Sequence, residues 1–117
     1  MISIIGSGKV GSAIAFLIAA TSLDDIVLVN RNKEKAQGAA LDISNAVSVD
    51  SPVSVIGTDD YSKIKNSEVV IISASAGTQG SSRMDLLEQN ATLIKNVAKK
   101  IKQYSSESKI LIVTNPL

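Results

Sequence analysis

Short aliphatic runs recur along the chain and predict its strands. Ile2 to Ile5, Ile26 to Val29, Val69 to Ile72 and Ile110 to Val113 are unbroken runs bounded by polar residues or glycine, the pattern of strands buried on both faces. Pro52 to Gly57 alternates instead, with Val53, Val55 and a terminal Ile56, and predicts a third strand near a sheet edge. Between the runs the spacing becomes helical. Lys9 to Thr21 is apolar on nearly every side through Ala13, Ile14, Phe16, Leu17 and Ile18, which predicts a helix buried on most faces. Lys33 to Val47 builds its apolar side from small residues, Ala36, Gly38, Ala39, Ala40, Ile43 and Ala46. Such a side suits packing on the sheet and a subunit interface equally well. Met84 to Tyr104 carries a stripe through Leu87, Ala91, Ile94, Val97 or Ala98, Ile101 and Tyr104, with acids at its start and lysines at its end that complement the helix dipole. Thr58 to Ser67 leaves room for one helical turn around Tyr61 to Ile64, and the Gly/Ser-rich stretch Ser73 to Ser82 is expected to be a mobile loop able to act as a lid.

Strands alternating with helices imply an α/β fold, a doubly wound parallel sheet with right-handed crossovers and strand order 3-2-1-4-5. Ligands bind such sheets at the carboxyl ends of the strands where the winding reverses, here between the first and fourth strands. The sequence at that point is Gly6-Ser7-Gly8-Lys9-Val10-Gly11. After a strand and before a helix, this spacing is the dinucleotide-binding fingerprint of the Rossmann type. Gly6 allows the turn, Gly8 admits a pyrophosphate to the backbone, Gly11 lets helix and strand approach, and the free N–H groups of the first helical turn face the anion.

An acid normally stands about 20 positions beyond these glycines and bonds the adenosine ribose. Here the position holds Asn30, followed by Arg31. An amide does not repel a 2′-phosphate and a guanidinium pairs with one, so the expected cofactor is NAD or NADP, with dual use or a preference for NADP.

Composition narrows the reading. A chain of 117 residues, 44% hydrophobic and 20% charged, suits one globular domain over residues 1–117 and no second one. A net charge of +1 with dispersed basic residues offers no field for nucleic acid or an anionic membrane. The longest apolar run, Ala13 to Ala20, is far short of a membrane span, and no targeting segment is read. Without cysteine there is no thiolate metal site or disulfide, and a cytoplasmic setting is expected. Without histidine no imidazole serves as acid, base or ligand, and no metal site is expected.

The chain resembles the amino-terminal cofactor domain of the lactate/malate dehydrogenase family nearly end to end. The resemblance rests on the glycine turn, Ala39-Ala40-Leu41-Asp42-Ile43, Ala76-Gly77, Ser82-Arg83-Met84-Asp85-Leu86-Leu87 with Asn90-Ala91, and Val113-Thr114-Asn115-Pro116. It implies that Gly6, Ser7, Gly8, Lys9, Val10 and Gly11 hold the pyrophosphate and that Asn30 meets the ribose. It further implies that Ala76 and Gly77 line the cofactor cleft and that Asn90 and the stretch from Val113 to Asn115 contact the nicotinamide half. Arg83 would be the lid arginine that polarises a substrate carbonyl, and Asn115 would also reach the substrate oxygen. The helix from Lys33 to Val47 resembles the family's subunit-pairing helix, which implies a homo-oligomer. The implied substrates are small 2-hydroxy and 2-oxo acids, malate first and lactate as the alternative. Malate enzymes carry a second arginine in the lid, which is shorter here and offers Gln79, a lactate-type choice. The family's catalytic histidine, its aspartate partner and its carboxylate-binding arginine lie in a second half that these residues do not include. The 117 residues are therefore expected to bind dinucleotide without turning over 2-hydroxy acids, as a domain truncated before a sixth strand, with the fifth strand an exposed edge. Two rivals share parts of the pattern. Ligand-sensing domains of potassium transporters match residues 1 to 30, and NAD-dependent glycosidases share the cofactor fold and a similar fifth strand.

Overall fold

The structure, a computed structural model, describes residues 1–77 and 82–114. Its elements run β1 (Ile2–Ile5), α1 (Lys9–Ala20), β2 (Ile26–Val29), α2 (Lys33–Val47), β3 (Val55–Thr58), a single 3-10 turn (Tyr61–Ile64), β4 (Val69–Ile72), α3 (Arg83–Tyr104) and β5 (Lys109–Ile112). All strand pairs are parallel and the order is β3-β2-β1-β4-β5, as the alternation of runs predicts.

The pleat divides the core. Ile2, Ile4, Ile26, Leu28 and Ile71 point to one face, where they meet Ala15 and Ala19 of α1 and Ala40, Ile43 and Val47 of α2. Ile5, Val27, Val29, Val70 and Ile72 point to the other, under Ile64 of the 3-10 turn and Val97 and Ile101 of α3. Each such aliphatic side chain, fully buried, stabilises the fold by about 1.5–3 kcal/mol relative to exposure. Ser3 is the polar member of the second face, and its hydroxyl shares a hydrogen bond with that of Ser67 at 2.5 Å.

Three expectations are corrected. The helix α1 is not buried on most faces. It meets the sheet through the row Gly11, Ala15 and Ala19, while Phe16 and Leu17 are 42% and 62% exposed. The small row lets the helix come so close that its larger side chains are left on the outer side. On α3 the buried side runs through Asn90, Val97 and Ile101, with Leu93, Ile94 and Tyr104 half-buried, so Leu87 and Ala91 point outwards. The cause is the tether that Asn90 makes to the loop after β4. The last strand, β5, is paired to β4 but its side chains are exposed, Leu111 by 54%. Aliphatic runs report strand propensity, whereas coverage depends on what packs above them, and α3 packs over the central strands. The third strand also begins later than Pro52, at Val55, while its edge position stands.

Candidate functional site

The two central strands aim their carboxyl ends at a cleft of about 500 Å³, lined on one side by Gly6, Ser7 and Gly8 and on another by Asn30, Arg31, Asn32 and Lys35. Tyr61, Leu93 and the stretch Ser73 to Ser75 complete it. The strand order places it there. Gly6 N donates to Val29 O at 2.8 Å and Ser73 N to Ile5 O at 2.9 Å, so both chain exits leave the sheet at one level.

The three glycines have separable reasons. Gly6 has φ +107°, and a Cβ on it would lie 2.7 Å from Ala74 N, so only glycine lets the loop after β4 cross here. A Cβ on Gly11 would overlap the Gly6 carbonyl oxygen and stand 2.6 Å from Ser73 Oγ, which measures how closely α1 sits on the turn. A Cβ on Gly8 would meet no protein atom within 4 Å. The space above Gly8 is open to the cleft, as a site for an approaching anion requires. Gly8 is also the N-cap of α1 without a side-chain cap, and no acid stands in the first turn, so the leading N–H groups and the positive end of the helix dipole remain available.

The turn is braced by hydroxyls. Ser73 Oγ donates towards Gly6 O at 3.1 Å and Ser12 Oγ to Ser7 O at 3.0 Å. Thr114 Oγ1 lies 2.9 Å from Ala74 O and 3.2 Å from Ile72 O, fixing the start of the loop after β4. From the other side, Asn90 Oδ1, buried on α3, accepts from Ala76 N at 2.7 Å.

At the end of β2, Asn30 Oδ1 accepts from Asn32 N at 2.9 Å and Asn30 Nδ2 donates to Ser7 Oγ at 2.8 Å. Asn32 then caps α2 by accepting from Lys35 N at 3.1 Å, which turns the first helical turn so that Lys35 lines the cleft beside Arg31. The lining residues include these two cations and no carboxylate. On the opposite wall, Asp60 caps the 3-10 turn, and bonds from Ser62 hold its carboxyl below the ordinary value of 3.8. Burial pushes the Tyr61 phenol above its usual 10.0.

The residues singled out in the sequence are thus distributed unevenly. Gly6, Ser7, Gly8, Asn30 and Arg31 converge on the cleft. Lys9 and Val10 begin α1 with exposed side chains, and Gly11 is buried beneath the turn. Ala76 and Gly77 follow the lining stretch Ser73 to Ser75, tied by Asn90 and by Ser75 Oγ at 3.2 Å. Val113 is an exposed residue after β5 whose N–H donates to Ile72 O at 2.9 Å. Arg83 is exposed in the first turn of α3 and is absent from the cleft lining, while Gln79, Asn115 and the lid from 78 to 81 lie outside the described residues. Lys35, Tyr61, Ser73 and Thr114 were not singled out. Lys35 was legible as a cation one turn beyond Arg31, whereas the other three reach the site through contacts distant in sequence.

Among the described residues no group of histidine, cysteine or acidic side chains could hold a metal ion, and no helix is long and apolar enough to cross a membrane.

Comparison with known proteins agrees with this geometry. The family model for the lactate/malate dehydrogenase NAD binding domain matches residues 1–117. The malate dehydrogenase of Archaeoglobus fulgidus is 40% identical over 116 residues, covering 97% of this chain and 40% of the relative. The L-lactate dehydrogenase of Thermoanaerobacterium saccharolyticum is 40% identical over 118 residues, covering 99% and 38%. A solved structure of malate dehydrogenase from Archaeoglobus fulgidus in complex with NADH superposes with a TM-score of 0.92 at 40% identity, covering 100% of this chain and 41% of that one. The chain spans about two fifths of the length of the curated relatives it matches.

Proposed function

The chain belongs to the lactate/malate dehydrogenase family, as its NAD-binding domain, and from that premise we propose that it serves a 2-hydroxy acid dehydrogenase acting on malate, with NADP accepted as well as NAD. The observation that carries the cofactor assignment is the open space over Gly8 at the uncapped start of α1, facing a cleft whose far wall holds Arg31 and Lys35 and no acid. These residues fit the adenosine diphosphate half of a dinucleotide. The N–H groups of the turn meet the diphosphate, the remaining lone pair and N–H of Asn30 serve the ribose, and the two cations neutralise a 2′-phosphate that an acid would repel.

Bound nicotinamide supplies the hydride chemistry, and the residues proposed to serve it are Ala76, Gly77, Asn90, Val113 and Asn115. Asn90 supports this role by holding the Ala76 N–H beside the cleft. Arg83 is proposed to carry the positive charge that stabilises the substrate oxygen as hydride arrives, a role that fits its exposed place at the start of α3. Malate remains the first reading and lactate the second, because relatives of equal similarity bear each name.

A homo-oligomer built through α2 is also proposed. The outward side of that helix carries Gly38, with no protein atom near a Cβ, and Leu41, 62% exposed.

Fluorescence titration with NADH and NADPH tests the cofactor reading. Comparable affinities or tighter NADPH binding are expected, and NADH tighter by about tenfold or more would overturn the dual use.

A further inference from the structure

The hydrogen bonds of Asn30 point to a second task for that residue. The N–H of Asn32 can only donate, so the side-chain atom it meets at 2.9 Å is the amide oxygen. The other end of the amide is then its NH₂ group, and it donates to Ser7 Oγ at 2.8 Å. A hydroxyl that accepts in this way keeps its own proton for another partner. Among the described residues Ser7 Oγ has no protein acceptor within hydrogen-bond distance, and Ser7 lines the cleft next to the open position over Gly8.

We propose that Asn30 is a positioning residue for the diphosphate: by donating to Ser7 Oγ it fixes that hydroxyl as a donor to a phosphate oxygen held in the glycine turn. This inference rests on the reading of the cleft as the dinucleotide site. It adds one side-chain donor to the backbone N–H groups of the turn. It also gives the amide at position 30 a role that a carboxylate cannot fill, because an acid there accepts from Ser7 and draws the proton away from the anion. The bond from Ser7 is charge-assisted, so its loss is expected to weaken binding by about tenfold.

The test is binding of ADP and of adenosine to the unmodified chain and to Ser7→Ala, Asn30→Ser and the double variant, followed by chemical-shift titration. Asn30→Ser keeps a hydroxyl able to accept from the Asn32 N–H while being too short to reach Ser7, so the turn is retained, and thermal melting verifies it. Each single variant is expected to lose about tenfold in ADP affinity, the double variant no more than Ser7→Ala alone, and adenosine is expected to bind all four alike. Unchanged ADP affinity in Asn30→Ser refutes the inference, as do losses that multiply in the double variant. An equal loss for adenosine also refutes it, since a merely structural role would affect both ligands. Failure of the unmodified chain to bind ADP, NADH or NADPH would remove the cofactor reading itself, whereas binding indifferent to Asn30 removes this inference alone.

Discussion

Two glycines of one motif, three positions apart, are expected to fail in opposite ways when each is replaced by alanine. At Gly11 the new Cβ overlaps the Gly6 carbonyl oxygen and stands 2.6 Å from Ser73 Oγ. The oxygen belongs to the backbone of a turn fixed by φ +107° at Gly6 and by the bond from Ser73, so it cannot swing aside. Relief requires α1 to lift from the sheet and to loosen the buried row of Ala15 and Ala19. Overpacking of this kind costs about 3 kcal/mol, and the helical preference of alanine over glycine returns about 1 kcal/mol. The net loss is about 2 kcal/mol, which in a domain of this size lowers Tm by about 8 °C. At Gly8 the new Cβ meets nothing, and φ −75° with ψ −163° is open to any residue, so Tm is expected to move by less than about 2 °C. The same Cβ occupies the space assigned to the diphosphate. Loss of one charged hydrogen bond there costs about 1.5–3 kcal/mol, or about tenfold or more in Kd for NADH. The assay is thermal melting followed by fluorescence titration of NADH. A Gly11→Ala variant as stable as the unmodified chain, or a Gly8→Ala variant that binds NADH normally, would refute the assignment of these separate roles.

Arg31→Ala and Lys35→Ala are each expected to weaken NADPH by about fivefold while changing NADH little, with the effect shrinking as salt is raised; equal losses for both cofactors would contradict a 2′-phosphate site. Tyr61 is expected to ionise above 10.0, so the stability contributed by its buried neutral phenol is complete below that pH and falls as pH rises beyond it. Absorbance titration with Tyr61→Phe as reference checks this, and a Tyr61 midpoint at or below the ordinary value would count against burial as the cause. Asp60 is held below 3.8 by Ser62, so its contribution is present above that value and lost as pH falls through the lower folded value. Melting curves of the unmodified chain and of Asp60→Asn, which caps without titrating, are expected to diverge below about pH 4. Parallel curves would show that the carboxylate contributes nothing to the turn that carries Tyr61.

The architecture was legible in the sequence because its signals are local. Each aliphatic run is bounded by its own polar neighbours, α2 and the 3-10 turn lie where the spacing puts them, and Gly-x-Gly-x-x-Gly between strand and helix specifies both the turn and the strand order's reversal point. What the periodicity could not settle was coverage. A run such as Ile110 to Val113 looks the same whether or not a helix lies over it, and β5 proves exposed. On α1 the apolar residues surround the helix, and only its approach through Gly11, Ala15 and Ala19 decided that Phe16 and Leu17 face out.

The glycine turn, its anion-binding chemistry and the missing acid at position 30 were therefore determined by the sequence alone, since each depends on residues within one strand–turn–helix unit. Tertiary structure decided how that unit is completed. It set Ser73 and Thr114 as braces from the β4 and β5 ends, Lys35 as the second cation of the cleft and Asn30 as the partner of Ser7. The physical reason is that hydrogen-bond direction and burial depend on which atoms meet across the sheet. Ser7 and Asn30 are separated by a whole helix in sequence and joined only when β1 and β2 pair side by side.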